Sequence, residues 1–346
     1  MGKIEIDGIN ISERTFVIAE AGSNHNGSLE TAKELIDVAA DAGADAVKFQ
    51  TFRAEDMYVQ ESGEANYLDD DRSIYEIIES MEMPYDWIPE LRDYCEDAGV
   101  VFMSTPFDER SADELEEFVP AYKIASYTMS HHPFLRHVAE KDKPIIMSTG
   151  AHELDEVRES VEVLREAGAD DIVLLHCVAS YPTPLESANV RAVETLRDEF
   201  GTATGLSDHT LDPVTTPSAA VALGASVVEK HFTLDKSMEG PDHEFALEPD
   251  ELNEMVDAVR KTEKVLGEGA VEVLNAEKEL HEIARRRIHA ARDIKEGETI
   301  SENDIAILRS GRNKAGAEPK FYEHIIGKET KKKINEGDGI CLNNVR

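Results

Sequence analysis

The chain has 346 residues, enough for one large hydrophobic core and a smaller second domain, and its 41% hydrophobic content excludes a largely disordered protein. It carries 72 Asp and Glu residues against 36 Lys and Arg residues, a formal net charge of -36. This field disfavours nucleic acids and anionic membranes as partners. The acidic residues are spread along the chain, so we interpret them as a solvated surface adapted to high salt, where counter-ions screen their repulsion.

Cysteine usage and hydropathy indicate a soluble cytoplasmic protein. The three cysteines, Cys95, Cys177 and Cys341, are odd in number and lack a metal-ligand spacing, which favours reduced thiols. No apolar run approaches the length of a membrane span, and the N-terminus lacks the apolar core of a signal peptide.

The first predicted element is a short hairpin over residues 3–11, which alternates around Asp7-Gly8. A pattern of apolar strand, polar loop and amphipathic helix then repeats eight times. The predicted strands are residues 16–19, 46–49, 100–103, 122–125, 144–147, 172–175, 203–206 and 226–228.

Helical periodicity fills the intervals, and glycines at the expected C-terminal positions end several helices. Eight strand-helix units in ~270 residues predict a TIM (β/α)8 barrel with its active site at the carboxyl ends of the strands. A doubly wound sheet is the alternative, but no G-x-G-x-x-G follows the first strand. Helical patterns cover residues 29–42, 74–98, 154–167, 189–200 and 249–266.

The long segment 51–72 is an exception to the short loops. It is polar and acidic and contains Tyr58 and Tyr67. A loop of this length in a compact domain predicts a lid or a binding loop.

The C-terminal region contains an internal repeat. The pattern I-x-E-G-[DE]-x-I begins at Ile294 and again at Ile334, an offset of 40 residues. Short strands and glycine turns predict a small β-rich domain with pseudo-twofold symmetry. We therefore divide the chain into a barrel (1–270), a linker (271–287) and a second domain (288–346).

Two histidines follow neighbouring predicted strands. His209 and His231 are one strand-helix-strand step apart, so both would leave the same edge of a parallel sheet. Two imidazoles there could hold one divalent metal ion and leave coordination positions for water and substrate oxygen. The alternative is a pair of hydrogen-bonded histidines at strand ends, but the polar neighbours Asp208 and Glu229 favour a site.

Lysines inside apolar strands predict an anion pocket. Lys48 and Lys123 lie in such strands, where a buried ammonium group is costly unless it is paired. With the hydroxyl groups and helix N-termini that follow the strands, they suit a phosphate or a carboxylate. Glu20, at the end of the first barrel strand, is the candidate general acid or base. The residues thus predict a barrel enzyme that performs condensation or cleavage on a small phosphorylated anion beside a divalent metal.

Nine blocks, in order through the chain, resemble the sialic acid synthase family, and the C-terminal region resembles the antifreeze-like (SAF) domain of that family, a small β-clip fold. Each block alone is weak, but the ordered set is highly specific. The blocks are AEAGSNHNG (19–27), VKFQ (47–50), STPF (104–107), YKIAS (122–126), STG (148–150), YPTP (181–184), GLSDHT (205–210), EKHFT (229–233) and GPDH (240–243).

The resemblance implies a condensation of phosphoenolpyruvate with an N-acetylated amino sugar, which releases phosphate and forms a nonulosonic acid. It implies that Glu20 lies near the reacting carbons and that His209 and His231 bind Mn²⁺ or Mg²⁺. The other implied roles are binding of phosphoenolpyruvate by Lys48, Lys123, Ser126 and Ser148, and contact with the substrates by Gln50, Thr105, Tyr181 and Asp242.

The resemblance further implies a domain-swapped homodimer in which the SAF domain offers Arg309 to the sugar in the partner subunit's barrel. The sequence departs from the family here, because Ser310 replaces the proline of the usual Arg-Pro-Gly. The residues alone also fit a metal-dependent aldolase or sugar isomerase, or a non-catalytic carbohydrate-binding protein. An aldolase or isomerase would need neither two lysines within strands nor the SAF-like region. The presence of Glu20, both lysines and both histidines argues against a non-catalytic barrel whose SAF domain binds carbohydrate.

Overall fold

The computed structural model describes residues 3–63 and 72–346. The chain divides into two compact units, Met1–Gly267 and Glu268–Arg346. No helix in the described part of the chain is both long enough and apolar enough to cross a bilayer.

The first unit is a TIM barrel, as predicted. Its eight parallel strands run in the order β5-β4-β3-β10-β9-β8-β7-β6, a nearly closed sheet in which the two end strands, β5 and β6, share no ladder within the described ranges. Residues 3–11 form the predicted hairpin, β1 (Glu5–Ile6) with β2 (Ile9–Asn10). The barrel strands are β3 (Phe16–Gly22), β4 (Ala46–Thr51), β5 (Val101–Pro106), β6 (Tyr122–Ile124), β7 (Ile145–Ser148), β8 (Ile172–Cys177), β9 (Ala203–Asp208) and β10 (Val227–His231).

Alternate residues of each strand face the barrel interior, as the period of two requires. At the amino ends of the strands the interior is a buried apolar cluster that includes Phe16, Met103 and Val227. The intervening residues pack outward against the helices in a second, larger cluster. Gly205 is required in this interior because a Cβ there would collide with the carbonyl oxygen of Val227.

The prediction of one helix over residues 74–98 is wrong. The first helix ends at Ser80 and the next begins at Trp87, with Pro84 between them. Proline lacks an N–H group and disfavours helical backbone in the residue before it, so it separates the two helices. The helices of the first unit are α1 (Leu29–Asp41), α2 (Ala54–Met57), α3 (Ile74–Ser80), α4 (Trp87–Ala98), α5 (Glu109–Leu115), α6 (His132–Ala139), α7 (Leu154–Glu166), α8 (Ala192–Phe200), α9 (Thr215–Ala222) and α10 (Pro249–Leu266).

The predicted lid, residues 51–72, is described only in part. Helix α2 occupies its beginning, and Tyr58 is partly exposed. Tyr67 and the rest of 64–71 lie outside the described residues, so the lid function stays a prediction.

A buried ion pair ties the amino end of the barrel to its last helix. Asp45, which immediately precedes β4, is 5% exposed and lies 2.5 Å from an Nη atom of Arg260 in α10. It also pairs with Arg14 and accepts a hydrogen bond from the backbone N–H of Val17 (2.8 Å). Both carboxylate oxygens are therefore occupied, as a buried charge requires.

The second unit confirms the predicted repeat. Strands β11 (Arg286–Ala290) and β12 (Ile305–Arg309) pair antiparallel, and short helices α11 (Lys278–Ile283) and α12 (Tyr322–Ile325) complete it. Gly297 N–H donates to Thr330 O, and Gly337 N–H donates to Ala290 O. These two hydrogen bonds are related by the same offset of 40 residues, so the two halves of the repeat exchange equivalent contacts across a pseudo-twofold axis.

Candidate active site

The barrel interior changes from apolar to charged toward the carboxyl ends of the strands. Glu20 lies two residues after Ile18 in β3, and Lys48 lies two residues after Ala46 in β4, so each faces the barrel interior like the apolar residue before it. Both side chains are at most 2% exposed. Glu20 and Lys48 thus lie in one layer because each shares a strand face with the apolar residue two positions before it.

Lys48 is the centre of the first group of contacts. It forms an ion pair with Glu20 and donates a hydrogen bond to Thr105 Oγ1 (2.9 Å). Gln50 Nε2 donates to the other oxygen of Glu20 (3.1 Å). The structure therefore brings these four residues together.

Lys123 begins a second group with the hydroxyl group of Ser148 in the adjoining strand β7, and Ser126 lies in the turn that follows β6. Its ammonium donates to Ser148 Oγ (2.8 Å), and Ser126 Oγ accepts a hydrogen bond from Gly150 N–H (3.0 Å). Lys123 is 3% exposed. An ammonium group and two hydroxyl groups converging in a buried pocket suit an anion.

Glu229 links the two groups, and our sequence analysis did not include it among the site residues. Its carboxylate lies 3.7 Å from Lys48 Nζ and 3.6 Å from Lys123 Nζ, and it accepts a hydrogen bond from Ser207 Oγ (3.0 Å). The missed signal was the strand alternation, because Glu229 precedes His231 by two positions and must face the same way.

Burial and neighbouring charges shift the pKa values of the two glutamates in opposite directions. Burial raises the pKa of Glu20, the Lys48 charge lowers it and the Glu229 charge raises it, with a result of about 7. Burial also opposes ionisation of Glu229, but the charges of Lys123 and Lys48 outweigh burial and lower its pKa. One carboxyl group is therefore able to exchange a proton near neutral pH while the other stays ionised.

The two histidines lie side by side at the ends of neighbouring strands, as predicted. Their ring centroids are 5.6 Å apart. The ring centroid of Tyr181 lies 4.1 Å from that of His209, and the ring centroid of Phe245 lies 5.2 Å from that of His231. Aromatic rings therefore pack against one side of the histidine pair. Burial lowers the pKa of both imidazoles, which keeps them in the neutral form that binds metal ions.

The histidine pair fits a metal ion. His209 Nδ1–H donates to Val178 O (2.8 Å), which leaves the Nε2 lone pair free, the arrangement typical of metal-bound histidine. His231 Nδ1 is buried and has no hydrogen-bond partner within the described ranges. No group of three or more His, Cys, Asp or Glu side chains in residues 3–63 and 72–346 forms a metal cage, so water and substrate would complete the coordination.

Asp242 lies beside the histidines on the loop that follows β10. Its carboxylate is 3.8 Å from His231 Nδ1, and burial raises its pKa to about 6. The adjacent His243 contacts Thr233 (2.6 Å) and Asn26 (3.2 Å), and these contacts hold the loop against the turn that follows β3.

Gly22 marks the point where these groups meet. A Cβ added to it would lie within 3.4–3.5 Å of Gln50 Nε2, Asp242 Oδ2 and Glu20 Oε1. Its φ of +55° also favours glycine. The residue therefore lets three polar side chains converge on one space.

Arg309 is the one predicted site residue outside the first unit. It ends β12 and is exposed. The next residue, Ser310, contacts Nε2 of the buried His289 (2.9 Å), whose Nδ1 donates to Gly337 O (2.9 Å). These hydrogen bonds anchor the turn beside Arg309 at the position where the family pattern has proline.

Two family models match the chain. Residues 35–271 match the model described as the NeuB family, and residues 285–346 match the SAF domain. The spore coat polysaccharide biosynthesis protein SpsE of Bacillus subtilis is 45% identical over 324 residues, which cover 89% of this chain and 87% of the relative.

Two further relatives carry names that state an activity. The N,N'-diacetyllegionaminic acid synthase of Campylobacter jejuni is 39% identical over 95% of this chain and 99% of the relative. The crystal structure of N-acetylneuraminic acid synthetase from Leptospira borgpetersenii superposes with a TM-score of 0.72 at 32% identity, over 81% of this chain and 95% of the other. The chain belongs to the NeuB family, the sialic acid synthases.

Proposed function

We propose that this protein condenses phosphoenolpyruvate with an N-acetylated amino sugar, releasing phosphate and forming a nonulosonic acid. The observation that carries the proposal is the pairing of Lys48 and Lys123 around Glu229 next to two unprotonated histidines. An aldolase or an isomerase has no use for a pocket with two buried ammonium groups beside its metal site. Relatives named pseudaminic, legionaminic and N-acetylneuraminate-9-phosphate synthases support the same reaction type.

The lysine pocket binds the enolpyruvate. Lys48 and Lys123 neutralise the phosphate and carboxylate groups, and the hydroxyl groups of Thr105, Ser126 and Ser148 donate to their oxygens. Gln50 and Tyr181 lie on the side of the pocket that faces the sugar. Holding both reactants face to face contributes ~7 kcal/mol of entropy that the uncatalysed encounter would lose.

The histidines hold the divalent cofactor. When bound by His209 and His231, the ion supplies Lewis-acid polarisation of the sugar's aldehyde oxygen. Two imidazole nitrogens favour a transition ion such as Mn²⁺ over Mg²⁺, which prefers oxygen ligands. Asp242, 3.8 Å from His231, orients the sugar beside the ion.

Glu20 manages the proton of the carbon-carbon bond-forming step. C3 of the enolpyruvate bonds to the aldehyde carbon, and Glu20 in its protonated form gives the aldehyde oxygen the proton that makes it a hydroxyl group. Water then adds to C2 and returns one proton to the Glu20 carboxylate, and the resulting C2 hydroxyl group passes its proton to the phosphate as it leaves. Phosphate leaves from the tetrahedral intermediate, and C2 becomes the ketone of the product.

Arg309 completes the site in a domain-swapped homodimer. In this proposal the arginine of one subunit contacts the sugar in the barrel of the other. The exposed position of Arg309 and its anchored turn are consistent with a contact outside its own unit.

The decisive experiment measures phosphate release from phosphoenolpyruvate with a panel of amino sugars. The panel comprises N-acetylmannosamine and the amino-sugar precursors of legionaminate and pseudaminate, each with and without EDTA. We expect release with at least one sugar and no release without a sugar or after chelation. Sugar-independent release, or none with any member of the panel, would overturn the proposal.

A further inference from the structure

Two charged residues adjacent to the histidines turn away from the site. Asp208 precedes His209, and Lys230 precedes His231, and the two are directly paired in the register of β9 with β10. Because side chains alternate along a strand, both point out of the barrel toward the helices. They are nevertheless 4% and 2% exposed.

The two side chains form a closed network. Lys230 Nζ lies 2.5 Å from Asp208 Oδ2 and 2.5 Å from the Thr210 carbonyl oxygen. Thr210 N–H donates to Asp208 Oδ1 (3.0 Å), and the hydroxyl of Thr216, in the first turn of α9, donates to Oδ2 (2.5 Å). Asp208 and Thr210, which flank His209 in the chain, are therefore both hydrogen-bonded to Lys230, which precedes His231.

Stability does not explain this network. A buried ion pair between strands gives little advantage over a well-packed apolar pair, and backbone hydrogen bonds already join β9 to β10. What the network adds is a fixed orientation of the backbone on each side of His209 relative to His231. Contacts of this kind, one step removed from metal ligands, set ligand geometry.

We propose that the Asp208–Lys230 pair is a positioning device that sets the separation of His209 and His231 and thereby the affinity of the metal site. The inference rests on the proposed function, because it presumes that both histidines bind one ion. Asp208 and Lys230 touch neither ion nor substrate. They act through the histidines that follow them.

The test measures Mn²⁺ binding to the full-length apoprotein by the electron paramagnetic resonance signal of the free ion. The variants are Asp208→Asn, which removes one charge, and the double variant Asp208→Asn/Lys230→Gln, which removes both and leaves no unpaired buried charge. The milder Thr216→Val removes one hydrogen bond to Asp208. The matched control is Asp45→Asn, which breaks a buried pair of equal length at the opposite end of the barrel.

We expect the dissociation constant for Mn²⁺ to rise about 10–100-fold in the two Asp208 variants and by a smaller factor in Thr216→Val, with no change in the control. The melting temperature should fall in both the Asp208 variants and the control, so only metal affinity separates them. Wild-type affinity in folded Asp208 variants, or equal weakening in the control, would overturn the positioning role. If the Asp208 variants do not fold, unchanged affinity in Thr216→Val overturns it.

A parallel measurement separates this inference from the proposed function. His209→Ala and His231→Ala should each abolish detectable Mn²⁺ binding. If either retains wild-type binding, the two-histidine site itself is wrong. If both lose it while the Asp208 variants keep it, only the positioning role fails.

Discussion

The two ends of the barrel both bury charged groups, but they treat them differently. At the amino end every oxygen of Asp45 is matched by an arginine or a backbone N–H. At the carboxyl end Glu229 Oε2 and His231 Nδ1 lack a hydrogen-bond partner within the described ranges. Thr202 and Thr204, near the amino end of β9, also leave their hydroxyl oxygens without a partner, but these groups are neutral. Because an unmatched buried carboxylate costs far more stability than an unmatched hydroxyl group, Glu229 marks the carboxyl end as the place prepared for ligands.

The largest effect should come from removing a histidine at the carboxyl end. We expect His209→Ala and His231→Ala to lower kcat/KM about 10²–10⁴-fold, since Lewis-acid polarisation is worth several kcal/mol. Chelated wild-type enzyme should match them and recover with Mn²⁺. Near-normal turnover by either variant in metal-free buffer would contradict the assignment of metal binding to the carboxyl end of the barrel.

A substitution in the apolar layer at the amino end should lower the stability of the fold and leave the catalytic rate unchanged. Phe16 is fully buried in the apolar layer at the amino end. We expect Phe16→Ala to lower the free energy of unfolding by ~3–5 kcal/mol through lost packing. The kcat of the folded enzyme should stay within about twofold of the wild-type value. It is measured well below the melting temperature and normalised to the amount of native protein determined by circular dichroism. A loss of kcat as large as that of His209→Ala would contradict the separation of folding and catalytic roles between the two ends.

Proton uptake should sharpen the contrast between the two buried carboxyl groups. With a pKa of about 7, Glu20 is mostly ionised at pH 8 in the free enzyme. Binding of a multiply charged anion beside it should raise that pKa further, so phosphoenolpyruvate binding at pH 8 should take up close to one proton. The substrate phosphate, with a second pKa of ~6, is already fully ionised there and contributes no uptake.

Calorimetry in two buffers of different ionisation enthalpy measures this uptake. Glu20→Gln should eliminate it, and Asp45→Asn at the other end should keep it. Equal uptake by wild type and Glu20→Gln would assign the proton to another group.

A mixing experiment asks whether the carboxyl end is complete within one chain. Glu20→Gln and Arg309→Ala subunits should each be nearly inactive alone. If Arg309 serves the partner's barrel, half of the randomly mixed dimers hold one intact site, so about a quarter of wild-type activity should return. No recovery after confirmed subunit exchange would place Arg309 in its own chain's site, and full activity of Arg309→Ala alone would make this arginine dispensable.

The smallest effect concerns the surface outside both ends. Since the net charge is -36, we expect the melting temperature to rise by several degrees between ~0.1 M and ~2 M salt as repulsion is screened. NaCl and KCl should act alike because screening depends on ionic strength. A flat or falling melting temperature would end the high-salt interpretation.

Much of this architecture could be predicted because apolar runs mark the buried strands and glycines mark the ends of the helices. All eight barrel strands begin within one residue of their predicted positions, and most extend further into the site than their apolar cores suggest. The break at Pro84 was missed because apolar periodicity continues on both sides of it. Glu229 was missed because a charged residue inside a strand was considered by its sequence neighbours and not by the face it shares with His231.

The carboxylates between the lysines have a consequence for ion selectivity. Two bare ammonium groups facing a chloride-rich solution would be occupied by chloride, which would then inhibit competitively. Glu20 and Glu229 already neutralise Lys48 and Lys123, so a monovalent halide gains little by entering. Only a ligand that brings several negative charges and its own hydrogen-bond acceptors can displace this internal neutralisation. This internal neutralisation would thus keep a cationic substrate pocket free of chloride even in molar salt.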